Sequence, residues 1–174
     1  MHSDIDTAPI TLQPATAELR PVIEQLMELF RHDMSEFLGH LPDADGRFGF
    51  SRLPLFFDEP EREALVVQCG TAPAGFVLTR RMDEGATSIS AFFVVRALRR
   101  RGVGRHVALQ LLRTRPGAWG IAFQEANSGA ARFWRGVATA AVGPENWHEE
   151  TRPAPTSSPV NLPEDQWIFL DTSR

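Results

Sequence analysis

The chain has 174 residues, of which 43% are hydrophobic and 23% are charged, and its formal net charge is −4. This composition is typical of one globular domain, and it argues against a membrane-spanning protein and against a nucleic-acid-binding protein, which needs a basic face. A single cysteine, Cys69, excludes an internal disulfide. We expect one domain over residues 1–174, with a flexible start over residues 1–9. The first residues carry Asp4 and Asp6 and lack the apolar core of a signal peptide, so we expect a cytoplasmic protein.

The first third of the chain predicts a strand, two helices and a long loop. A short strand over residues 10–12 precedes a segment, residues 19–30, in which apolar side chains recur at helical spacing. Residues 32–38 predict a short second helix that ends at Gly39. The following stretch, residues 39–60, combines glycines, prolines and phenylalanines. It predicts a long loop, which is either a wall of a substrate site or a purely structural segment.

The middle of the chain predicts a sheet followed by a crossover. Three candidate strands, over residues 64–69, 74–81 and 86–95, are separated by turn-forming segments and predict an antiparallel meander. A helix over residues 102–113 and a strand over residues 118–123 follow. A strand, a helix and a second strand in this order predict a parallel pair with a right-handed connection.

The last part of the chain predicts one more helix and two more strands. The helix covers residues 127–135, and the first strand covers residues 138–142. Residues 143–163 contain five prolines and predict an extended loop within the domain. The final strand covers residues 167–170. The predicted fold class is α/β (α+β), with a mixed central sheet of about six to seven strands and about four flanking helices.

The segment over residues 92–105 passes from a buried strand through a basic turn into an amphipathic helix. Five arginines are concentrated there, namely Arg96, Arg99, Arg100, Arg101 and Arg105. The backbone N–H groups in the first turn of a helix have no partner within that helix, and the helix dipole is positive at this end. Gly102 and Gly104 remove side chains that would meet an anionic group. This turn therefore predicts an anion site, and its spacing fits neither a P-loop nor a dinucleotide-binding turn.

The spacing Arg99-x-x-Gly102-x-Gly104 resembles the acyl-coenzyme A binding motif of the GNAT superfamily of N-acetyltransferases. A second segment, Asn127-x-x-Ala130-Ala131-x-Phe133-Trp134, is similar to the segment that flanks the cofactor thiol in that family. Residues 32–37 and residues 133–135 further resemble a small group of bacterial predicted acetyltransferases. The resemblance covers roughly residues 8–172. It implies a GNAT-type fold, antiparallel in its first half and with a parallel strand pair around the cofactor cleft.

The resemblance implies acetyl-coenzyme A as the acyl donor. Main-chain groups of Phe93, Val94 and Val95 are implied to pair with the pantetheine arm, and N–H groups of residues 100–105 to hold the pyrophosphate. The implied cofactor-binding residues are Phe93, Val94, Val95, Arg99, Arg100, Arg101, Gly102, Val103, Gly104, Arg105, Asn127, Phe133 and Trp134. The histidines and the cysteine lack the spacing of metal ligands, so we expect no metal.

The residues that would carry proton transfer depart from the family pattern. Trp134 occupies the position where the family commonly has a tyrosine as general acid, and an indole cannot take that role. The chain contains no tyrosine. Glu125, at the end of the fifth predicted strand, is the candidate general base, with a solvated loop carboxylate as the alternative. Asp33 and Glu36 are candidate contacts for a cationic acceptor, although acids on a short helix are often only solvated.

The resemblance thus implies an N-acetyltransferase that moves an acetyl group to a primary amine, of a small molecule, by direct attack in a ternary complex. The alternative is an acyl-coenzyme A binding sensor or regulatory module that uses the same fold without turnover. The expected partners are acetyl-coenzyme A and an amine acceptor, with no nucleic acid and no membrane. We expect a monomer or a homodimer.

Overall fold

The computed structural model describes residues 8–153 and 164–173, and within these ranges it contains a seven-stranded sheet. The strands are β1 (Ile10–Pro14), β2 (Arg62–Cys69), β3 (Ala72–Arg81), β4 (Thr87–Val94), β5 (Ala118–Phe123), β6 (Trp147–Arg152) and β7 (Asp165–Asp171). The α-helices are α1 (Arg20–Leu38), α2 (Leu55–Asp58), α3 (Val103–Thr114) and α4 (Ser128–Val142). Residues 1–7 of the predicted flexible start lie outside the described ranges.

The strand order is β1-β2-β3-β4-β5-β7-β6. Neighbouring strands run antiparallel except β4 and β5, which are parallel and are connected through α3. The structure therefore confirms the predicted mixed sheet, with an antiparallel first half and one parallel pair. The parallel pair is short, with Thr87 opposite Trp119 and Ile89 opposite Ile121 at its ends.

Helices cover both faces of the sheet because side chains alternate between the faces along each strand. One face packs against α3 and α4 and forms the larger part of the core, which includes Val77, Val107, Leu111, Ile121, Val137 and Ile168. The other face packs against α1 and α2 and includes Ile23, Met27, Phe56, Val66, Phe76 and Phe93. The edge of β4 that faces β5 lies between these two layers.

The prediction of two helices over residues 19–30 and 32–38 is wrong, because α1 is continuous. Its buried stripe contains Ile23, Leu26 and Met27, and the same spacing continues toward the C-terminus. The polar residues at the centre of α1 lie outside this stripe and do not interrupt the helix. Within the predicted loop over residues 39–60, the short helix α2 places Phe56 in the core.

Two predictions near the C-terminus are also wrong. Residues 138–142 are the last turns of α4 and not a strand, since Ala138 lies on the same buried stripe as Trp134 and Val137. The predicted loop over residues 143–163 contains the edge strand β6, whose polar residues reflect its position at the border of the sheet. Residues 154–163 of that loop lie outside the described ranges. Among the helices that the structure describes, none has the length and apolar character required to span a bilayer.

Candidate functional site

A cleft of about 820 Å³ opens where β4 and β5 separate. Their parallel pairing ends at Ile89 and Ile121. On the other side of β4, the register with β3 shifts between Ile89 and Ala91, which leaves Ser90 as a bulge. Beyond this bulge β4 diverges from β5, and the space between them forms the cleft.

The edge of β4 presents main-chain groups to this cleft. The N–H of Val95 donates to the carbonyl of Ala74 at 2.9 Å, so Val95 is directed toward β3. Hydrogen-bonding groups alternate along an antiparallel ladder, so those of Phe93 also face β3. The main-chain groups of Phe92 and Val94 then face the cleft. In agreement with this, the Val94 carbonyl accepts a hydrogen bond at 2.8 Å from the Arg99 guanidinium, on the cleft side.

The basic turn, residues 96–102, forms one end of the cleft and leads directly into α3. Two residues in it have left-handed backbone angles, Arg100 with φ of 62° and Gly102 with φ of 78°. Gly102 is the residue immediately before α3 and lets the chain reverse into the helix without steric strain. The first N–H groups of α3 therefore lie beside the side chains of Arg100 and Arg105, both of which line the cleft. This arrangement is suited to a phosphate group.

The carboxylate of Asp33, on α1, is held by two arginines of the basic turn. Arg96 donates to one carboxylate oxygen at 2.6 Å, and Arg99 donates to the other oxygen. Burial raises the pKa of Asp33, but the hydrogen bonds and charges of the two arginines outweigh it and leave the pKa below its ordinary value. The structure thus uses Asp33 to join α1 to the basic turn, and this carboxylate already has its cationic partners.

An aromatic cluster forms the wall of the cleft on the side of α4. Trp134 is only 6% exposed, and its ring lies edge-on to Phe92 at 5.1 Å and to Phe133 at 4.8 Å. Asn127 caps α4, because its side-chain oxygen accepts from the N–H of Ala130 at 3.0 Å. Trp134 therefore contributes packing to this wall.

Asp165, the first residue of β7, lines the cleft and was missed by the sequence analysis. The side-chain amide of Gln124, at the end of β5, donates a hydrogen bond to it. Burial raises the pKa of the Asp165 carboxyl, and the Gln124 hydrogen bond offsets this only in part. The sequence carries one weak signal for this residue, an acid directly before a buried strand. Only the pairing of β7 with β5 shows that it reaches the cleft.

The structure brings most of the predicted site residues to this one cleft. The lining includes Asp33, Glu36, Phe93, Val94, Arg99, Arg100, Gly102, Gly104, Arg105, Asn127, Phe133 and Trp134. Val95, Arg101, Val103 and Glu125 do not line it. Glu125 is 59% exposed and forms an ion pair with Arg135 at 2.9 Å. Within residues 8–153 and 164–173, no group of three or more His, Cys, Asp or Glu side chains could hold a metal ion.

Residues 23–137 match the family model described as "Acetyltransferase (GNAT) family". This segment contains most of α1, the basic turn, α3 and most of α4. Comparison with curated protein sequences gives no match.

Several solved structures share the fold. An acetyltransferase from Thermus thermophilus superposes with a TM-score of 0.66 at 13% identity, over 93% of this chain and 96% of that one. An aminoglycoside N(6')acetyltransferase from Legionella pneumophila gives 0.67 at 11% identity, over 94% and 92%. The diaminobutyrate acetyltransferase EctA from Paenibacillus lautus gives 0.64 at 10% identity, over 96% and 97%.

Proposed function

The chain belongs to the acetyltransferase (GNAT) family, and from this premise we propose that it transfers an acetyl group from acetyl-coenzyme A to a primary amine of a small molecule. The observation that carries the proposal is the cleft between β4 and β5. It joins the edge of β4 to the basic turn and to the first N–H groups of α3. An elongated donor with a diphosphate at one end and amide groups along its arm matches both features.

The residues of the cleft fit the chemical groups of that donor. Amide groups of a pantetheine arm can pair with the main-chain groups of Phe92 and Val94, as an added strand would. The diphosphate can bind to the N–H groups that begin α3 and to the side chains of Arg100 and Arg105. Among the described residues, neither of these two arginines has an ion-pair partner, so both charges are available to an anion.

When bound, acetyl-coenzyme A supplies an activated thioester carbonyl and a sulfur leaving group. The chain contributes orientation, because the β4 edge and the basic turn fix the two ends of the donor. N–H groups of Phe92 and Val94 that face the cleft can donate to the negative charge that develops on the carbonyl oxygen. Trp134 supplies no proton. A thiol has a pKa of about 8.5, so the sulfur can leave as a thiolate without a dedicated acid.

The small-molecule part of the proposal is supported by the shape of the site. The acceptor reaches the thioester through the same cleft, which is enclosed by α1, β4, β5 and the start of β7. Two of the structural neighbours are named for small amines, an aminoglycoside and L-2,4-diaminobutyric acid. In those two proteins the fold therefore serves small acceptors.

Titration calorimetry with acetyl-coenzyme A tests the donor site. We expect Arg105→Glu to weaken binding at least about tenfold, because it reverses a charge beside the diphosphate position. Arg113→Glu is the matched control, since this residue lies in the last turn of the same helix and away from the cleft lining. An unchanged affinity in Arg105→Glu would contradict the proposed diphosphate site.

Turnover is tested separately, by following release of the free thiol across a panel of primary amines. Thiol release that depends on the amine supports the transferase. Tight binding of acetyl-coenzyme A without release for any amine would support the alternative of a sensor module. Absence of binding would overturn both functions.

A further inference from the structure

We propose that Asp165 binds the ammonium group of the acceptor and receives its proton, and that the acceptor is a cationic primary amine attached to an apolar body. This inference rests on the proposed function and deepens it. It assigns a residue to the acceptor side of the cleft, where the predicted base, Glu125, does not lie.

The sheet register places Asp165 on the α1 side of the cleft. Trp167 lies opposite Ala122, and Gln166 lies opposite Phe123, so Asp165 is next to the end of β5. Side chains two positions apart share a face, which puts Asp165 on the same face as Trp167. This is the face of the sheet that α1 covers, because Ile168 and Leu170 point to the other face, toward α3 and α4. The aromatic wall formed by Phe133 lies on the opposite face, with α4. The cleft therefore has two sides, and Asp165 belongs to the side away from α4.

The acceptor side is otherwise mainly apolar. The C-terminal half of α1 contributes Met34, Phe37 and Leu38 to the lining, and β4 contributes Ala91. Such a surface favours an acceptor with an alkyl or aryl body. A polar acceptor, such as a sugar, would leave its hydroxyl groups without partners against these side chains.

Among the described residues, three acids line the cleft, and they differ in how they are paired. Asp33 is bound by two arginines, as described above. Glu36 is exposed on α1, and after Asp33 its charge also helps to raise the pKa of the Arg96 guanidinium. Asp165 is half-buried, and its partner among the described residues is the neutral amide of Gln124. A carboxylate can accept about four hydrogen bonds, so Asp165 retains capacity for a ligand.

The arginine opposite Asp165 in the sheet already pairs with other acids. Arg152 is its register partner on β6, but this guanidinium donates to Glu84 at 2.7 Å and to Glu150 at 3.0 Å. No described cation pairs with Asp165, and a half-buried carboxylate without a cation is costly in a free protein. A bound ammonium group would supply the missing charge.

The chemical step follows from this placement. The ammonium group transfers one proton to the Asp165 carboxylate, and a neutral amine remains. The lone pair of its nitrogen forms the C–N bond to the thioester carbonyl carbon. The C–S bond breaks, and its electron pair stays on sulfur. The departing thiolate takes the second proton from nitrogen, and Asp165 returns the first proton to solvent. The products are an N-acetyl amine and a free thiol, and no oxidant or reductant is required.

The test compares Asp165→Asn with Asp165→Glu, and uses Asp83→Asn as the matched control. Asp83 is an exposed acid in the turn between β3 and β4, outside the cleft lining. Acetyl-coenzyme A affinity and thermal unfolding are measured first for all variants. With 2-phenylethylamine as acceptor, we expect Asp165→Asn to lower kcat/KM about 100-fold or more. We expect Asp165→Glu to recover part of the loss, and Asp83→Asn to match the unsubstituted protein.

Two further readouts separate catalysis from structure. In a plot of log kcat/KM against pH, we expect Asp165→Asn to replace the acidic limb set by Asp165 with a rise that continues toward the pKa of the amine. Calorimetry with 2-phenylethylamine alone is expected to show binding that Asp165→Asn weakens at least about tenfold. Phenylalanine carries an added carboxylate, which Asp165 repels, so we expect it to react at least about tenfold more slowly than 2-phenylethylamine.

The outcomes distinguish this inference from the proposed function. Normal turnover in Asp165→Asn would overturn the inference and leave the transferase intact, and a large loss in Glu125→Gln instead would return the role to Glu125. Binding of acetyl-coenzyme A without turnover of any cationic amine would overturn the assigned acceptor. Failure to bind acetyl-coenzyme A would overturn the proposed function itself.

Discussion

Asp33 on α1 and Arg96 in the basic turn are separated by 63 positions in sequence and joined by two hydrogen bonds, at 2.6 and 3.2 Å. Arg99 donates to the second oxygen of the same carboxylate. One side chain of α1 thus fixes two arginines of the turn that begins α3. The proposed acceptor side and the proposed diphosphate site are therefore mechanically connected.

Loss of this carboxylate is expected to cost stability in a pH-dependent way. Arginine hydrogen bonds hold the pKa of Asp33 below its ordinary value despite its burial. The stabilisation is therefore complete above the unfolded-state pKa, about 3.9, and is lost as the pH falls through the folded-state pKa. We expect Asp33→Asn to destabilise the protein by about 1 kcal/mol at pH 7, and the difference to shrink below about pH 4. Urea unfolding at several pH values measures the difference in the free energy of unfolding, with Asp45→Asn, at an exposed position, as the control. A difference independent of pH would contradict this account.

Two substitutions of glycine by alanine are expected to change the free energy of unfolding in opposite directions. Gly102 has φ of 78° and open space around it, so an added methyl group is opposed by backbone strain alone. We expect Gly102→Ala to cost about 1 kcal/mol. Gly136 lies within α4 with open space around it, so Gly136→Ala is expected to stabilise by about 0.5–1 kcal/mol. Chemical denaturation measures both. If both variants changed the free energy of unfolding in the same direction, the left-handed conformation assigned to Gly102 would be contradicted.

Gly75 on β3 is expected to tolerate no side chain. A Cβ atom there would lie 2.0 Å from the carbonyl oxygen of Phe93, and this main-chain atom cannot move without displacing β4. At Gly120 the contacts are side-chain atoms of Met82 and Phe169 at 3.0 Å, which can shift. We expect Gly75→Ala to cost more than about 2 kcal/mol, and Gly120→Ala clearly less. Urea unfolding ranks the two variants, and the reverse order would be incompatible with the close approach of β3 and β4.

Trp134 is expected to act through packing alone. Its buried ring contacts Phe92 and Phe133, so Trp134→Ala should cost about 3–5 kcal/mol and Trp134→Phe much less. The indole N–H does not ionise in the physiological range. We therefore expect Trp134→Phe to leave the alkaline side of the pH–rate profile unchanged. A selective loss of that limb would show that Trp134 participates in proton transfer.

Asp165 is expected to contribute reactivity at the expense of stability. Burial raises its pKa above the unfolded-state value. The folded protein then binds more protons than the unfolded chain between these two pKa values, so stability falls as the pH rises through this window. At pH 7 the full penalty is present. We expect Asp165→Asn to raise Tm by about 2–4 °C at pH 7, the shift that about 1 kcal/mol produces in a domain of this size. An equal rise in Tm at pH 3 would show that the charge of the Asp165 carboxylate is not the cause of the stabilisation.

The fold and the basic turn of the proposed donor site were predictable because their signals are local. The basic turn with Gly102 lies within a few residues of the strand and helix that it connects, so sequence spacing places it. Other segments depended on tertiary context. Residues 138–142 are a short apolar run, which periodicity alone cannot assign to a helix or a strand. The polar sequence of β6 resembles a loop because an edge strand has few buried side chains.

The residues of the proposed acceptor half of the site were predictable only in part. Its place beside Asn127 in the sequence predicts Glu125 as the base, but the Glu125 carboxylate accepts from Arg135. Asp165 lies 41 positions from Gln124, and only the antiparallel return of β7 beside β5 brings the two together. Spacing within a motif carries no information about such a long-range neighbour.

The short contact between β4 and β5 also bears on how the molecule opens. Three residue pairs form the whole parallel ladder between the strands β1–β4 and the strands β5–β7. Few amide hydrogen bonds therefore need to break for the two halves to part locally. A ligand that contacts both β4 and β5 would restrain the strands on both sides of this ladder. Hydrogen exchange in β4 and β5 is accordingly expected to slow together on donor binding, while β1 and β2 keep their rates.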